Sequence, residues 1–454
     1  MILKPKRVLG TFDATFMVVG NMIGSGIFVL SGYAAAPVSS GTWLILAWIG
    51  GGIIALLGAY CISELATRFP ETGGDFLYLQ KVYGSYPAFL YGWMSLFIFE
   101  SGSIAILALF GAKYFINLPL LGSINLTETA IASVFVLILS LLHCLKVEVG
   151  SRVQSILTVL KISGLIILIT LLWGAHETAG GSITRSQVIS NPVMGFSRAL
   201  IPIFFAYTGW NVAGYIAGEI KDPGRTLPVA LIGGTVITTL LYVFVELGFL
   251  TTAGLEVMRG EELVPLIALQ SAGKGSWSPY LTFLIFVSVI SSLSITIQTA
   301  GARVIQAMGE QGLFFRITGK RNSRFGTPVN AFVVQAVWTI ILLFLLDVET
   351  LVDSTVVVMI LFSALTISTL LRYHSRPDFT LKKQKLHFTT PLYPLMPVMY
   401  IFCVIFVSIG VIRYYFEPTV IAEKGGFIPL WGLVSIAVGS LVYWVWIRLK
   451  RDNN

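Results

Sequence analysis

Long apolar runs dominate this chain, and the charged residues lie almost entirely between them. Each run contains the roughly 20 apolar residues that an α-helix needs to cross the hydrocarbon core of a bilayer. Membrane β-barrels instead require alternating segments of about 10 residues, which these continuous runs do not resemble. The pattern therefore predicts an all-α membrane protein with twelve transmembrane helices, at 12–36, 42–67, 87–116, 127–147, 152–173, 196–220, 228–253, 279–303, 328–347, 350–372, 392–414 and 427–449.

Composition and charge add an orientation to this picture. The 454 residues are 56% hydrophobic and 11% charged, whereas soluble domains carry roughly 25% charged residues. Of the 30 lysines and arginines, 22 fall in segments on the same side as the N-terminus, seven fall on the other side, and Lys161 lies within a run. Since positive loops stay cytoplasmic, we expect both termini in the cytoplasm, in a cell (inner) membrane. The net charge of +8 follows from this asymmetry and does not indicate nucleic-acid binding.

Two helices carry breaks near their middles. The first contains "GNMIGSGIF" and the sixth contains "FFAYTGWN". Each glycine inside a helix costs about 1 kcal/mol relative to alanine. Close helix packing through Gly20 and Gly24 is the alternative explanation for the first of these stretches. Paired interruptions at corresponding positions point to a transporter's central site, so we predict one membrane domain, 1–454, with inverted repeats at 12–173 and 196–372 and two further helices within 392–449.

The chemistry of broken helices predicts a site for a zwitterion. An unwound segment exposes free carbonyl groups at one helix end and free N–H groups, with a positive dipole, at the other. A substrate carboxylate would lie against N–H groups, as anions do at helix N-termini, and an ammonium group would lie against carbonyl oxygens. The expected N–H groups are those of Ser25, Gly26 and Ile27, and the expected carbonyl groups are those of Met22 or Ile23 and of Phe205, Ala206 and Thr208.

An ordered set of motifs now carries a family resemblance. The set comprises "GNMIGSGIF", "SELATRFPETGGDFLYLQKVYG", "FFAYTGWN" with "GEIKDPGRTLP", and "ARVIQAMGEQGLF" followed by "TPVNAFVVQ". It resembles the amino acid/polyamine/organocation superfamily and is most similar to the L-type amino acid transporter group. The resemblance implies a LeuT-type fold, with 5+5 inverted repeats, broken helices 1 and 6 and two extra helices. It also implies an amino acid substrate at the two breaks, with no metal or cofactor.

The resemblance assigns roles to individual positions. It places the substrate carboxylate at Ser25 and Gly26 and gives the carbonyl groups of Met22, Phe205 and Thr208 to the amino group. Phe205 would also be the aromatic gate over the substrate. Asn211 would be a polar contact beside it.

Lys161 stands in "LTVLKISGLIIL", about 14 Å along its helix from Arg152. An ionised lysine near the bilayer centre costs about 3 kcal/mol or more without partners, so it marks a functional site or a lysine bonded to backbone carbonyls. The resemblance favours a coupling role, in which the lysine replaces a sodium ion between the first and eighth helices. The candidate partners on the eighth helix are Ser291, Ser292 and Ser294.

Two carboxylates also fall within predicted helices. Glu100 stands near mid-depth, and Glu246 stands in the outer third of the seventh helix. Each could carry a proton or attract a cationic side chain, and a neutral carboxyl hydrogen-bonded between helices is an equal alternative.

Rival functions are weakly supported by the sequence. An enzyme would need clustered catalytic side chains, but only His143 among the four histidines is near a run, and no H-E-x-x-H or G-x-S-x-G occurs. A channel would need a filter motif or rings of charge, which are absent. An amino acid sensor on the same fold, or an amino acid or polyamine permease, remains open. So does the choice between exchange and proton symport.

Substrate and partners complete the expectations. No charged residue is among the proposed contacts, which favours neutral L-amino acids. Lys161 in place of a sodium ion predicts sodium-independent transport, and the resemblance to the L-type group implies exchange. The resemblance implies that eukaryotic members of this group bind a heavy chain through a cysteine in the loop between helices 3 and 4. The loop "NLPLLGSINL" contains no cysteine, so we expect a prokaryotic protein without a disulfide-linked heavy chain, in contact with its substrate and the lipid bilayer.

Overall fold

The structure is a computed structural model that describes residues 7–24, 26–118, 126–144, 147–174, 192–322, 326–375, 388–416 and 428–452. The described residues are mainly α-helical. The β pairing in them is an isolated bridge between Leu9 and Ile220. The predicted all-α class is therefore confirmed.

The first half of the chain contains eight helical segments. They are α1 (Thr11–Met22), α2 (Gly26–Ala35), α3 (Gly41–Arg68), α4 (Gly74–Tyr83), α5 (Ser85–Met94), α6 (Glu100–Ile116), α7 (Glu128–Cys144) and α8 (Val147–Trp173). A π-helical turn, Ser95–Phe99, joins α5 to α6, so that these two form one continuous rod.

The second half adds eleven. They are α9 (Pro192–Ala206), α10 (Val212–Tyr215), α11 (Pro223–Thr252), α12 (Leu255–Met258), α13 (Val264–Ser271), α14 (Ser278–Thr296), α15 (Ala302–Glu310), α16 (Val329–Leu345), α17 (Val348–His374), α18 (Leu395–Tyr415) and α19 (Ile428–Asp452). A second π-helical turn, Ile297–Gly301, joins α14 to α15.

Six of the described helices are long and apolar enough to cross a membrane by length and composition. The bent pair α1 and α2, whose axes differ by 42°, would be a seventh, and five shorter apolar helices accompany them. The protein is therefore a multi-pass membrane protein. The count of twelve crossings stays a prediction.

The structure differs from the predicted pattern in its short helices. The apolar pattern does not predict α4 and α13, because each is shorter than the 20-residue run that a membrane crossing requires. α4 is mostly buried, and its first turn carries Asp75.

Packing places the two broken helices side by side. α1 packs on α10 and α11, and α2 packs on α9 and α13. The bridge between Leu9 and Ile220 ties the start of α1 to the residues that come after α10. Small residues allow the close approach. A Cβ atom on Gly20 would lie 2.5 Å from Thr158 Oγ1 of α8, so Gly20 serves as a packing residue.

Candidate functional site

The first helix breaks where the glycines predict it. α1 ends at Met22, α2 begins at Gly26, and the N–H of Gly24 donates to the carbonyl oxygen of Met22 at 2.8 Å. Ser25 lies outside the described residues. The first turn of α2 starts with the N–H groups of Gly26 and Ile27, which have no acceptor within their own helix.

The sixth helix breaks at "YTGWN". α9 ends at Ala206 and α10 begins at Val212. Gly209 has a φ of +98°, a conformation that side chains other than glycine rarely adopt. Thr208 closes the end of α9, because its N–H and its hydroxyl both donate to the carbonyl oxygen of Phe205, at 3.0 and 2.7 Å.

The two breaks touch each other. A Cβ atom on Gly26 would lie 2.5 Å from the Cα atom of Ala206, so the start of α2 and the end of α9 are in backbone contact. On the other side of the break, a Cβ atom on Gly24 would lie 2.9 Å from Ser292 Oγ of α14. Glycine at both positions therefore lets α9 and α14 close around the first break.

Tyr242 of α11 joins the two freed helix ends. Its hydroxyl donates toward the carbonyl oxygen of Met22 and lies 3.1 Å from the carbonyl oxygen of Ala206. The carbonyl oxygens of Met22 and Phe205 each accept two hydrogen bonds in this state. An incoming ammonium group would therefore share or replace existing donors. Sequence reasoning missed Tyr242, since an aromatic residue in an apolar helix is typical of any core.

A cavity lies at this junction. Its wall contains the predicted residues Met22, Gly26, Phe205, Ala206, Thr208, Asn211, Ser292 and Glu100. Ile23 and Ile27 are buried in the core beside it. Gly24 of the first break lines it as well, and so do residues that the sequence did not indicate, among them Asp75, Tyr91, Ser103, Tyr215, Thr296, Met359 and Ser363.

Asp75 is the polar centre of one cavity wall. Its Oδ2 accepts hydrogen bonds from Tyr215 (2.8 Å), Asn211 (3.0 Å) and Tyr91 (3.3 Å). Burial raises the pKa of Asp75 to about 6, and the three hydrogen bonds oppose that shift. The predicted substrate contact Asn211 is thus held by a carboxylate of α4. The signal in the sequence was "TGGDF", in which Gly73 and Gly74 both have positive φ and place Asp75 at the start of α4.

Glu100 lies at the junction of the π-helical turn and α6, and it faces the cavity. Among the described residues it forms no ion pair. It shares the cavity wall with Asp75. The predicted contacts include no ionisable side chain, but the cavity that contains them has the carboxyl groups of Asp75 and Glu100 in its wall.

Lys161 lies behind the first break. Its ammonium group donates to the carbonyl oxygen of Gly20 at 3.1 Å and to Ser292 Oγ at 2.7 Å, and the side chain is 3% exposed. Ser291 is buried in the same helix as Ser292. Ser294 is not a partner of Lys161, because its hydroxyl faces the other way and pairs with His143 Nε2 at 2.9 Å.

Glu246 lies away from the cavity wall. It is fully buried in α11, and its carboxyl group contacts the hydroxyl of Ser31 in α2 at 2.8 Å. The structure thus separates the two carboxylates that the sequence considered together. Glu100 belongs to the cavity, and Glu246 belongs to the interface between α2 and α11.

Comparison with known proteins agrees with this architecture. The family model described as amino acid permease matches residues 9–445. The chain is 29% identical to the serine/threonine exchanger SteT of Bacillus subtilis, over 87% of this chain and 88% of that protein. It is 27% identical to the human b(0,+)-type amino acid transporter 1, over 90% of this chain and 88% of that one. It is 25% identical to the human large neutral amino acids transporter small subunit 2, over 80% and 69%.

The match covers nearly the whole chain, including both breaks, Lys161 and the cavity-lining residues. These relatives are amino acid transporters and not enzymes. The chain therefore belongs to the amino acid permease family.

Proposed function

We propose that this transporter exchanges neutral L-amino acids across the cell (inner) membrane by alternating access and without sodium. The observation that carries the proposal is the backbone contact between Gly26 and Ala206, which brings a helix N-terminus and a helix C-terminus to one cavity. Such a pair of ends complements the carboxylate and the ammonium group that all amino acids share. The name of the SteT relative, an exchanger, supports exchange.

The substrate would be held mainly by backbone. Its carboxylate would lie at the N–H groups of Ser25, Gly26 and Ile27. Its ammonium group would lie at the carbonyl oxygen of Ala206, which accepts one hydrogen bond, and would compete with existing donors at Met22. Met22, Ile23, Phe205 and Thr208 complete the proposed set of carbonyl groups.

Two side chains would complete the pocket. Phe205, which is 4% exposed and lines the cavity, would cover the bound substrate as a gate. Asn211, held by Asp75, would be fixed in position for a polar contact.

Lys161 would make a sodium ion unnecessary. It connects Gly20 of α1 with Ser292 of α14 through two hydrogen bonds from one ammonium group. A movement of α1 or α14 changes these bonds, so substrate binding at the first break would couple to Lys161.

The wider arrangement stays a set of predictions. We propose inverted repeats at 12–173 and 196–372, with 392–449 outside them, and both termini in the cytoplasm. The third and eighth predicted helices, which have the same place in the order of the two proposed repeats, each contain a π-helical turn. We also propose that the transporter works without a heavy chain.

The experiment is counterflow in proteoliposomes that contain the purified full chain. A labelled neutral amino acid is offered outside, with or without unlabelled amino acid inside, in sodium-free buffer. We expect internal amino acid to accelerate uptake, with no further effect of sodium. Uptake that does not depend on internal amino acid but increases with an inward proton gradient would establish symport. Substrate binding without any flux would establish a sensor.

Amino acids with a cationic side chain are a second candidate substrate class. Glu100 favours it, because this carboxylate faces the cavity and has no ion pair among the described residues. A carboxylate in a site of low dielectric stabilises an ammonium or guanidinium group strongly. Competition by lysine against a labelled neutral amino acid measures this class.

A further inference from the structure

The carboxyl group of Glu246 is buried without a cation. Its side chain is 0% exposed, and none of the ion pairs among the described residues includes it. Oε2 lies 2.8 Å from Ser31 Oγ, whereas Oε1 is buried without a hydrogen-bond partner among the described residues. An ionised carboxylate in this environment would leave a charged oxygen unsolvated, which is far more costly than a neutral carbonyl oxygen in the same place.

The hydroxyl of Ser31 gives a second, independent argument. Ser31 Oγ lies 2.7 Å from the carbonyl oxygen of Ile27 and 2.8 Å from Glu246 Oε2. A serine hydroxyl has only one hydrogen to donate, and both a carbonyl oxygen and a carboxylate oxygen can only accept. Both short distances are satisfied when Glu246 carries a proton on Oε2 and donates it to Ser31 Oγ, while Ser31 donates to Ile27.

The described groups that face Glu246 from the neighbouring elements are neutral, and Lys161, the cation of α8, donates to Gly20 and Ser292 instead. α3 contributes the indole N–H of Trp48, a neutral donor that lies close enough to the carboxyl group to interact with it weakly. The end of α9 contributes the phenol of Tyr207, whose hydroxyl donates to the carbonyl oxygen of Trp48 at 3.0 Å. α2 contributes only the hydroxyl of Ser31. These groups are neutral, so the proton on Glu246 has no competing cation.

The same interface holds the second half of the broken helix in place. Beyond Ser31, the N–H of Gly260 donates to the carbonyl oxygen of Gly32 at 2.9 Å. Arg259 donates to the carbonyl oxygens of Ala36 and Val38 at 2.7 and 2.8 Å. Residues 258–262 therefore clamp the far end of α2, and the contact between Ser31 and Glu246 is the buried part of the same closed arrangement.

We propose that Glu246 binds one proton when α2 packs against α11 and releases it to water when α2 moves away. The inference rests on the proposed function, because it requires α2 to move during alternating access. The proton passes from water on the side of residues 258–262 to Oε2 and returns to the same side. Protons on that side therefore favour closure of α2, and no net proton transport accompanies exchange.

Infrared spectroscopy of the full chain tests the proton directly. A protonated carboxyl group gives a C=O stretching band that a carboxylate lacks. We expect Glu246→Gln to remove one such band at neutral pH, and Glu261→Gln, a matched change at an exposed carboxylate on the same side, to leave the spectrum unchanged. An unchanged band in Glu246→Gln means an ionised Glu246 and overturns the proposal.

Ser31→Ala is the second variant for the infrared test, and it applies if Glu246→Gln does not fold. This variant retains the carboxyl group but removes its hydrogen-bond acceptor, so the C=O band should remain and shift in frequency. A band that is insensitive to Ser31→Ala would contradict the proposed pairing of the two side chains.

Exchange in proteoliposomes tests the consequence. With the opposite side held at constant pH, we expect the wild-type rate to fall as the pH rises on the side of residues 258–262, toward the one-proton limit of about tenfold per pH unit. Glu246→Gln should be insensitive to pH, whereas Ser31→Ala and Glu261→Gln should stay sensitive. Equal slopes in Glu246→Gln and wild type, or amino acid accumulation driven by a proton gradient, would overturn the inference. Absence of exchange in the wild type would overturn the proposed function instead, and the infrared result would still stand.

Discussion

The hydroxyl of Tyr242 lies 3.1 Å from the carbonyl oxygen of Ala206 and also reaches the carbonyl oxygen of Met22. One side chain of α11 thus contacts both helix ends that a substrate ammonium group would use. This hydroxyl therefore occupies part of the place proposed for the ammonium group.

Tyr242→Phe should therefore lower the stability of the protein without substrate and increase the stabilisation that substrate binding gives. Loss of the hydroxyl leaves buried carbonyl oxygens short of a donor, which costs about 1–3 kcal/mol. We expect a lower melting temperature without substrate and a larger upward shift on addition of a neutral amino acid. Thermal unfolding with and without substrate measures both effects. Tyr280→Phe, at a tyrosine that is 67% exposed, is the control and should match wild type.

Lys161→Ala should abolish most exchange. The change removes the donor to Gly20 and Ser292 inside the membrane, and leaves both acceptors unsatisfied at about 1–3 kcal/mol each. Exchange in sodium-free proteoliposomes should fall by about tenfold or more, whereas Lys81→Ala at an exposed lysine should not alter it. Normal rates in Lys161→Ala, or a sodium requirement in the wild type, would refute its coupling role.

Gly26→Ala should prevent the two breaks from meeting. Its methyl group would lie 2.5 Å from the Cα atom of Ala206, which is backbone and cannot rotate away. We expect substrate binding to be lost while the protein still folds. Gly233→Ala is the matched control, since no atom lies within 4 Å of that position, and it should bind as wild type does. A Gly26→Leu variant with normal transport would disprove the proposed backbone site altogether.

Glu100→Gln should change selectivity and spare neutral substrates. The substitution removes from the cavity wall a carboxyl group that a cationic substrate would hold ionised, and it leaves the two helix ends untouched. If cationic side chains are accepted, the concentration of lysine needed to inhibit uptake of a neutral amino acid should rise, while inhibition by leucine should not change. Equal changes for both competitors would mean that Glu100 acts on the structure of the pocket as a whole.

Asp75 should make stability depend on pH. Burial raises the pKa of its carboxyl group from 3.8 to about 6, so the folded protein binds this proton more tightly than the unfolded chain does. The resulting stabilisation is complete below the unfolded value and is lost as the pH rises through about 6, amounting to roughly 3 kcal/mol.

Other buried acids titrate as well, so the wild type is compared with Asp75→Asn. Tyr78, Tyr91 and Tyr215 face Asp75, and the carboxylate of Glu100 lies nearby. We expect the decrease in melting temperature between about pH 5 and pH 7 to be smaller in Asp75→Asn than in the wild type. Parallel curves for the two proteins would rule out a raised pKa of Asp75 in the folded protein.

The position of the first break could be predicted from the sequence, because Gly24 and Gly26 weaken a helix locally and need no knowledge of its neighbours. The second break could be predicted at 207–211 for a similar reason. The residues that contact these breaks from other helices could not be predicted. Tyr242 and Asp75 acquire their roles from the packing of α11 and α4 against distant helix ends, and neither residue is unusual in its own segment.

The choice among the three serines shows the same limit. Ser292 and Ser294 are only two residues apart, but two residues on an α-helix turn the side chain by about 200°. One therefore faces Lys161 and the other faces His143. Spacing along the sequence does not determine the rotation of α14. The sequence therefore indicated three candidate serines but not which of them contacts Lys161.

The two π-helical turns have a consequence for how this pocket can change. A turn of this kind contains one residue more than an α-helical turn, so each is a one-residue insertion that the rod absorbs without a loop. Deleting that residue would rotate everything beyond it by about 100°. Glu100, immediately after the first π turn, would swing out of the cavity wall, and a different side chain would replace it. Substrate range in this protein can therefore be altered by the length of a helix as well as by the identity of its residues.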